Sequence, residues 1–110
     1  MMLRPIPLAL MPDSMEVAEP IDGDYGGEYS DEPYTVANVR FDAAAPLLRL
    51  GYVLEDGSKG IVYVDASVPG AKEVPVGSLV TIRGEQYAVV NSSRYEDFGG
   101  HVHHWELEVR

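Results

Sequence analysis

The chain has 110 residues, which fits one domain with a thin hydrophobic core. It carries 18 acidic and eight basic side chains, a net charge of −10, and its lysines and arginines are scattered, which argues against tight binding to DNA, RNA or an anionic membrane. The absence of cysteine excludes disulfides and cysteine-ligated zinc, and no apolar run reaches the roughly 18 residues of a membrane-spanning helix.

The amino-terminal segment alternates proline with apolar residues from Arg4 to Pro12. Proline fixes φ and removes an amide donor, so this composition favours an extended arm with few internal hydrogen bonds. The prolines also interrupt the apolar run that a secretory signal needs. We therefore expect residues 1–13 to form an extended arm, either packed on a neighbour or frayed, and residues 14–110 to form a single β-barrel domain.

The next segment is strongly acidic. Between residues 13 and 32 there is no basic side chain, and Asp22–Gly27 is a cluster of Gly and Asp that favours turns. We expect a mobile acidic loop over about 18–33, for which the alternative is a solvated connector without a role of its own. Its carboxylates are Asp13, Glu16, Glu19, Asp22, Asp24, Glu28, Asp31 and Glu32.

Strand patterns begin after this loop. Residues 34–41 are rich in β-branched and aromatic side chains, and residues 60–66 form a short apolar run typical of a strand buried on both faces. Between them we expect a loop over about 42–58, in which residues 42–50 are compatible with either a helical turn before Pro46 or a loop with exposed leucines.

The carboxyl-terminal half predicts a hairpin and a final strand. Residues 79–83 and 86–90 flank Gly84-Glu85, which suits a two-residue turn that opens with glycine, and residues 102–109 alternate between a dry and a wet face. The expected fold is all-β, a small antiparallel β-barrel or sandwich with an extended arm and long loops. The predicted core consists of Val36, Val39, Phe41, Ile61, Val62, Val64, Val80, Ile82, Tyr87, Val89, Trp105, Leu107 and Val109.

One histidine cluster has the composition of a metal site. His101 and His103 would share a strand face about 6–7 Å apart, and Asp97 or Glu96 is available as a third ligand. A stand-alone metal-binding β-domain is therefore the alternative function, whereas the plainer interpretation is a polar edge or interface.

Other chemistry has little support in the sequence. Neither Ser92 nor Ser93 lies in a nucleophile-elbow pattern, the Glu106 and Glu108 pair lacks a visible apolar pocket, and no glycine-rich phosphate-binding motif occurs. We expect no catalytic residue, no metal and no cofactor. An oligonucleotide-binding barrel is a third possibility that conflicts with the charge.

Five sequence patches, in order along the chain, resemble the minor capsid or head–tail joining proteins of siphophages and related prophages. The patches are Arg4–Pro7 followed by Leu10; Asp24–Gly27 with Asn38–Phe41; Lys59–Ala66; Val76-Gly77 leading to Val80–Ile82, Gly84 and Tyr87; and His103–Leu107. The fourth patch is common in small barrels, and the fifth has the pattern His-His-aromatic-Glu-Leu.

The resemblance implies a structural, non-enzymatic virion protein, made in the bacterial cytoplasm. It implies a homo-oligomeric ring at the neck, between the portal or adaptor protein and the tail terminator or tail tube protein. DNA would pass through this ring without sequence-specific binding, and an acidic subunit suits such passage. We expect partner contacts from the arm, from loop tyrosines and from loop leucines: Arg4, Pro5, Ile6, Pro7, Leu10, Tyr25, Tyr29, Leu47, Leu48, Leu50 and Tyr95.

Overall fold

The described part of the chain contains six antiparallel strands and one short 3₁₀ turn. The computed structural model describes residues 5–21, 28–44, 51, 54 and 57–110. The 3₁₀ turn spans Leu8–Leu10. The strands are β1 (Asp13–Ala18), β2 (Tyr34–Ala43), β3 (Gly60–Asp65), β4 (Leu79–Ile82), β5 (Glu85–Glu96) and β6 (Val102–Val109).

The strands close into a barrel in the order β1-β2-β3-β6-β5-β4. Every neighbouring pair is antiparallel, and the pairing of β1 with β4, in which Met15 lies opposite Ile82 and Ala18 opposite Leu79, closes the circle. The predicted all-β, antiparallel fold is therefore confirmed. In the described part of the chain, no helix is long and apolar enough to cross a membrane.

The barrel interior is filled by alternate residues of all six strands. Most of the predicted core is buried there, including Trp105, Leu107 and Val109 of β6, because a strand turns every second side chain inward. Phe41 and Tyr87 pack at its margin as partly buried residues. The prediction omitted four members of this cluster: Met15, Val17, Val68 and Val74.

The predicted β4–β5 hairpin is present, but its turn is one residue earlier than expected. Ile82 pairs with Glu85, so the two loop residues are Arg83 and Gly84, with φ of 53° and 79°. Primed two-residue turns need positive φ at both loop positions or at the first, and here a non-glycine residue occupies the first. The predicted end of the second strand at residue 90 is also wrong, because β5 continues to Glu96.

Three connections meet at one end of the barrel, which we call the loop end. It carries the β1–β2, β3–β4 and β5–β6 connections, since β1, β3 and β5 all run towards it. The described flanks of the predicted acidic loop pair with each other there: Pro20 bridges to Tyr29, and the Ser30 amide donates to the Glu19 carbonyl at 2.8 Å. These flanks therefore extend the β1–β2 hairpin.

Candidate functional site

The arm lies on the outer wall of its own barrel. The Leu10 amide donates to the Pro7 carbonyl at 2.9 Å and the Met11 amide to the Leu8 carbonyl at 3.0 Å. The arm therefore contains a 3₁₀ turn, whereas the sequence predicted that it would be extended throughout. The turn forms because no proline interrupts the chain between Pro7 and Pro12. The Met11 side chain that follows the turn is completely buried.

Asp65, at the end of β3, anchors the beginning of the arm. The Ile6 amide donates to Asp65 Oδ2 at 2.6 Å, while the amide and hydroxyl of Ser67 donate to Oδ1 at 2.8 and 2.6 Å. Burial raises the pKa of this carboxyl, but the hydrogen bonds from Ser67 and Ile6 outweigh burial and hold the pKa below its ordinary value. The docked arm thus supplies the donor to Oδ2, while Ser67 supplies the donors to Oδ1.

An apolar groove runs between the docked arm and the strands beneath it. Its floor and sides are formed by Ile6, Leu10, Met11 and Tyr63, its rim carries Arg40 and Asp42, and its volume is about 220 Å³. Leu8 and Leu10 are 61% and 48% exposed beside it. Isolated exposed leucines are ordinary, but two of them beside an apolar groove form a candidate contact surface.

The β5–β6 hairpin forms a second exposed feature, at the loop end. Phe98, in the turn, is 84% exposed, the largest exposed fraction among the large apolar side chains that the structure describes. The turn is ordered by Asp97, whose Oδ1 accepts the amides of Gly99 at 2.8 Å and His101 at 3.0 Å. Below it Tyr95 is 45% exposed and stacks on His104 with ring centroids 4.8 Å apart.

A β-bulge brings two histidines together in this hairpin. Tyr95 pairs with His104 and Glu96 with Val102, so His103 is an extra residue in β6. The two rings meet with their Nδ1 atoms 2.8 Å apart, and His104 Nε2 lies 2.9 Å from Glu106 Oε2. Since a carboxylate only accepts, His104 Nε2 carries the proton there, and its Nδ1 then accepts from His103.

The predicted metal pair is not formed in this way. β6 begins at Val102, so His101 precedes the strand, and the bulge at His103 removes the regular alternation on which a shared face depended. His101 Nδ1 instead lies 3.7 Å from Asp97 Oδ1. Among the residues that the structure describes, no group of three or more possible ligands is placed to hold a metal ion.

A cavity of about 170 Å³ next to the arm collects polar groups without the pattern of a hydrolase. It is lined by Pro5, Asp65, Ser67, Asp97, His103 and two apolar neighbours. Here the Ser67 hydroxyl donates to the Asp65 carboxylate, whereas an activated serine would donate to a histidine nitrogen. The arrangement therefore stabilises the docked arm.

A second buried carboxylate, that of Asp13, binds side-chain and backbone donors at the end of the barrel opposite the loop end. Asp13 at the start of β1 accepts two bonds from Arg83, from Nε at 2.7 Å and from a terminal nitrogen at 2.9 Å, and a third from the Phe41 amide at 3.1 Å. The hydrogen bonds from Arg83 hold the pKa of Asp13 below its ordinary value. Residues 70 positions apart in the sequence form this pair, which the sequence patterns did not indicate.

The predicted contact residues fall into three groups. Pro5, Ile6, Pro7 and Leu10 lie together on the arm, and Tyr29 and Tyr95 lie towards the loop end, with Tyr29 half-buried. Phe98 and Leu8, which the prediction did not include, are more exposed than Leu10 and Tyr95. An aromatic residue next to Gly99-Gly100 was the available signal for Phe98. Arg4, Tyr25, Leu47, Leu48 and Leu50 lie outside the described residues.

Comparison with known proteins identifies the family. A sequence model for the family described as minor capsid protein matches residues 7–109, which cover the arm from Pro7 onwards and all six strands. No curated protein and no solved structure matches the chain. The matched range contains the barrel, the arm groove and the exposed hairpin, and the chain therefore belongs to the minor capsid protein family, a family of phage virion structural proteins.

Proposed function

We propose that this chain is a neck subunit of a tailed phage virion, forming a ring around the DNA channel between the portal or adaptor and the tail, without enzymatic activity. The observation that carries the structural role is the family match over residues 7–109, which contains the whole barrel. The neck position and the ring rest on the resemblance, on charge and on the shape of the exposed surface.

The charge of the subunit suits a channel through which DNA slides. Arg4 and Arg49 lie outside the described residues, which leaves six of the eight basic side chains. Four of these, Arg40, Lys72, Arg83 and Arg94, form ion pairs with carboxylates of the same chain. Few cations remain for phosphate contacts, and each such contact would retain DNA in the channel.

The shape of the subunit suits assembly through side chains at its periphery. Strand closure uses most backbone hydrogen-bonding groups inside the barrel, so partners meet the exposed arm and hairpin. A cyclic ring uses heterologous contacts, in which one patch meets a different patch on the next copy. The arm groove and the hairpin tip are two such patches.

The position in the virion is tested by cryo-microscopy of purified particles together with particles made without this chain. We expect ordered barrels in a ring between portal and tail, and we expect particles without the chain to lack joined tails. Barrels distributed over the capsid shell, or complete tailed particles in the absence of the chain, would contradict the neck role.

The absence of catalysis is tested in the same particles. The polar network of the hairpin joins two histidines to a carboxylate, and His104→Ala with Glu106→Gln removes the donor and the acceptor of its His104–Glu106 bond. We expect unchanged assembly and infectivity, provided that circular dichroism shows a folded barrel. A folded variant that assembles but yields inactive particles would indicate chemistry at this site. Asn91→Ala on the neighbouring exposed surface is the matched control.

A further inference from the structure

We propose that the tip of the β5–β6 hairpin of one subunit docks in the arm groove of a second copy of this chain, with Phe98 as the inserted side chain. This inference rests on the proposed ring and specifies which surfaces form its repeating contact. The hairpin tip consists of residues 95–101. The arm groove is lined by Ile6, Leu10, Met11 and Tyr63 and lies between Arg40 and Asp42. The tip is the inserted element and the groove receives it.

The hairpin tip has the exposure of a docking element. β4 pairs with residues 85–88 of β5, so among the strands that the structure describes only β6 neighbours residues 91–96. Exposed strand edges and large exposed aromatics are features that proteins normally cover. With Phe98 84% exposed in a turn ordered by Asp97, the tip presents a preorganised aromatic side chain, which lowers the entropy lost on docking.

The arm groove has the composition of the complementary surface. It is apolar along its length, is already formed in the single subunit, and has Leu10 half exposed at its side. Met11 and the hydrogen bond from Ile6 to Asp65 hold the arm in place, so the groove does not have to be built on binding. An aromatic side chain buried in such a groove is the usual form of an interface hot spot.

An ion pair across the contact supports a second copy as the occupant, although the net charges of two copies oppose their association. A subunit of net charge −10 repels its own kind, so a stable contact between copies needs apolar burial and a cation near the approaching carboxylates. Arg40 supplies that cation at the groove rim: its Nε binds Asp42, and in the described part of the chain its terminal nitrogens have no hydrogen-bond partner. The tip brings the exposed carboxylate of Glu96 close to Phe98, whereas the Asp97 carboxylate is used within the turn.

The hairpin tip does not fill the groove of its own subunit, because Phe98 is 84% exposed. Tyr95 lies opposite His104, which lies opposite Asp65, and the groove residue Tyr63 is two positions below Asp65. Phe98 is three positions beyond Tyr95, so about five strand residues, or roughly 16 Å, separate the levels of Phe98 and Tyr63. A tip at the loop end and a groove on the side wall are different patches, as a heterologous ring contact requires.

Disulfide trapping in assembled particles tests this contact directly, because the chain has no cysteine. Particles are produced with the double variant Phe98→Cys, Leu10→Cys as the sole copy, oxidised mildly and separated without reductant. We expect a ladder of covalent multimers, since every subunit is joined to the next. Each single variant is a control, and Gln86→Cys with Leu10→Cys is the matched control, because Gln86 is exposed on the hairpin at the opposite end.

The outcomes separate the contact from the ring itself. An ordered neck ring that gives no ladder, or a ladder equally strong in the Gln86 control, would overturn the docking contact and leave the neck role standing. Particles whose neck lacks the chain would overturn both. As a second measurement, Phe98→Ser should reduce incorporation into particles at least tenfold, whereas Phe98→Tyr should retain it; equal incorporation of all three proteins would also contradict the proposed contact.

Discussion

The wall covered by the arm and the β5–β6 hairpin use apolar residues in opposite ways. On the arm side, Met11 is fully buried and the Ile6 amide binds a buried carboxylate, so the arm covers part of the outer faces of β2 and β3 and leaves the arm groove between them. At the hairpin, Phe98 and Tyr95 remain exposed, and part of β5 has a neighbouring strand on one side only among the described residues. The comparison indicates that the arm contributes to the fold, whereas the hairpin tip is available to a partner.

The largest effect is expected for the buried end of the arm. Met11→Ala removes a completely buried side chain and leaves a cavity, which should lower the free energy of unfolding by about 3 kcal/mol. Leu8→Ala, at an exposed position of the same turn, should change it by less than about 0.5 kcal/mol. Urea unfolding followed by circular dichroism measures both, and equal effects would show that the arm is not part of the core.

The arm anchor should have the next largest effect. Asp65→Ala removes the acceptor of three hydrogen bonds, including the one from Ile6, and should lower the free energy of unfolding by about 2 kcal/mol. Limited proteolysis should then cut the arm of this variant first. An arm that stays as resistant as in the parent protein would contradict the anchoring role of this carboxylate.

Two ion pairs should differ in their contribution to stability, because the carboxylate of Asp13 is buried and that of Glu96 is exposed. Asp13 is buried and accepts two bonds from Arg83, so Arg83→Ala removes two donors from a buried carboxylate and should lower the melting temperature of the barrel. Arg94→Ala breaks an exposed pair with Glu96 and should cost less than about 1 kcal/mol. Thermal unfolding of the two variants ranks them, and the reverse order would refute this interpretation of Asp13.

Acid should reduce the contribution of the Asp13 and Asp65 carboxylates to the stability of the barrel. The pKa values of Asp13 and Asp65 are lower in the folded chain than the ordinary value of 3.8, so the unfolded chain binds more protons as the pH falls. Their contribution is present above about pH 4 and is lost as the pH falls through the lowered values. Stability measured from pH 6 to pH 2 should fall less steeply in Asp65→Asn, and identical profiles would contradict this assignment.

The smallest effect on stability is expected at the hairpin tip. Because Phe98 is 84% exposed, Phe98→Ser should change the free energy of unfolding of the isolated subunit by less than about 0.5 kcal/mol. A loss as large as that of Met11→Ala would show that Phe98 packs on its own barrel, and the contrast between the two regions would then disappear.

The strands were predictable where burial imposes a period on the sequence. β6 alternates because one face packs inside the barrel, and β3 is continuously apolar because the barrel covers one face and the arm contributes to covering the other. The second half of β5 escaped prediction because Asn91–Arg94 is polar, and a strand that leaves the core carries no apolar period.

The candidate surfaces were less predictable than the strands. The arm was recognised from its prolines, but its anchor joins Ile6 to Asp65, 59 positions away, and no local pattern marks such a pair. The prediction of a metal pair at His101 and His103 assumed a strand with regularly alternating side chains. A single bulge at His103 breaks that alternation and changes which side chains meet. The turn was predicted at Gly84-Glu85 because glycine readily adopts positive φ, but Arg83 occupies the first loop position at positive φ. The strands that this turn joins impose that conformation.

Amide hydrogen exchange, measured on the free subunit and on the subunit assembled in the neck, tests the contrast between the two regions most directly. In the free subunit we expect slower exchange at the hydrogen-bonded amides of Ile6, Leu10 and Met11 than at the amides of Gly99 and His101, whose bonds to Asp97 are exposed to solvent. On assembly, protection should rise most at the hairpin tip, whereas the arm amides are already protected and should gain less. A tip that exchanges equally fast in both states, or an arm that is unprotected in the free subunit, would contradict the account.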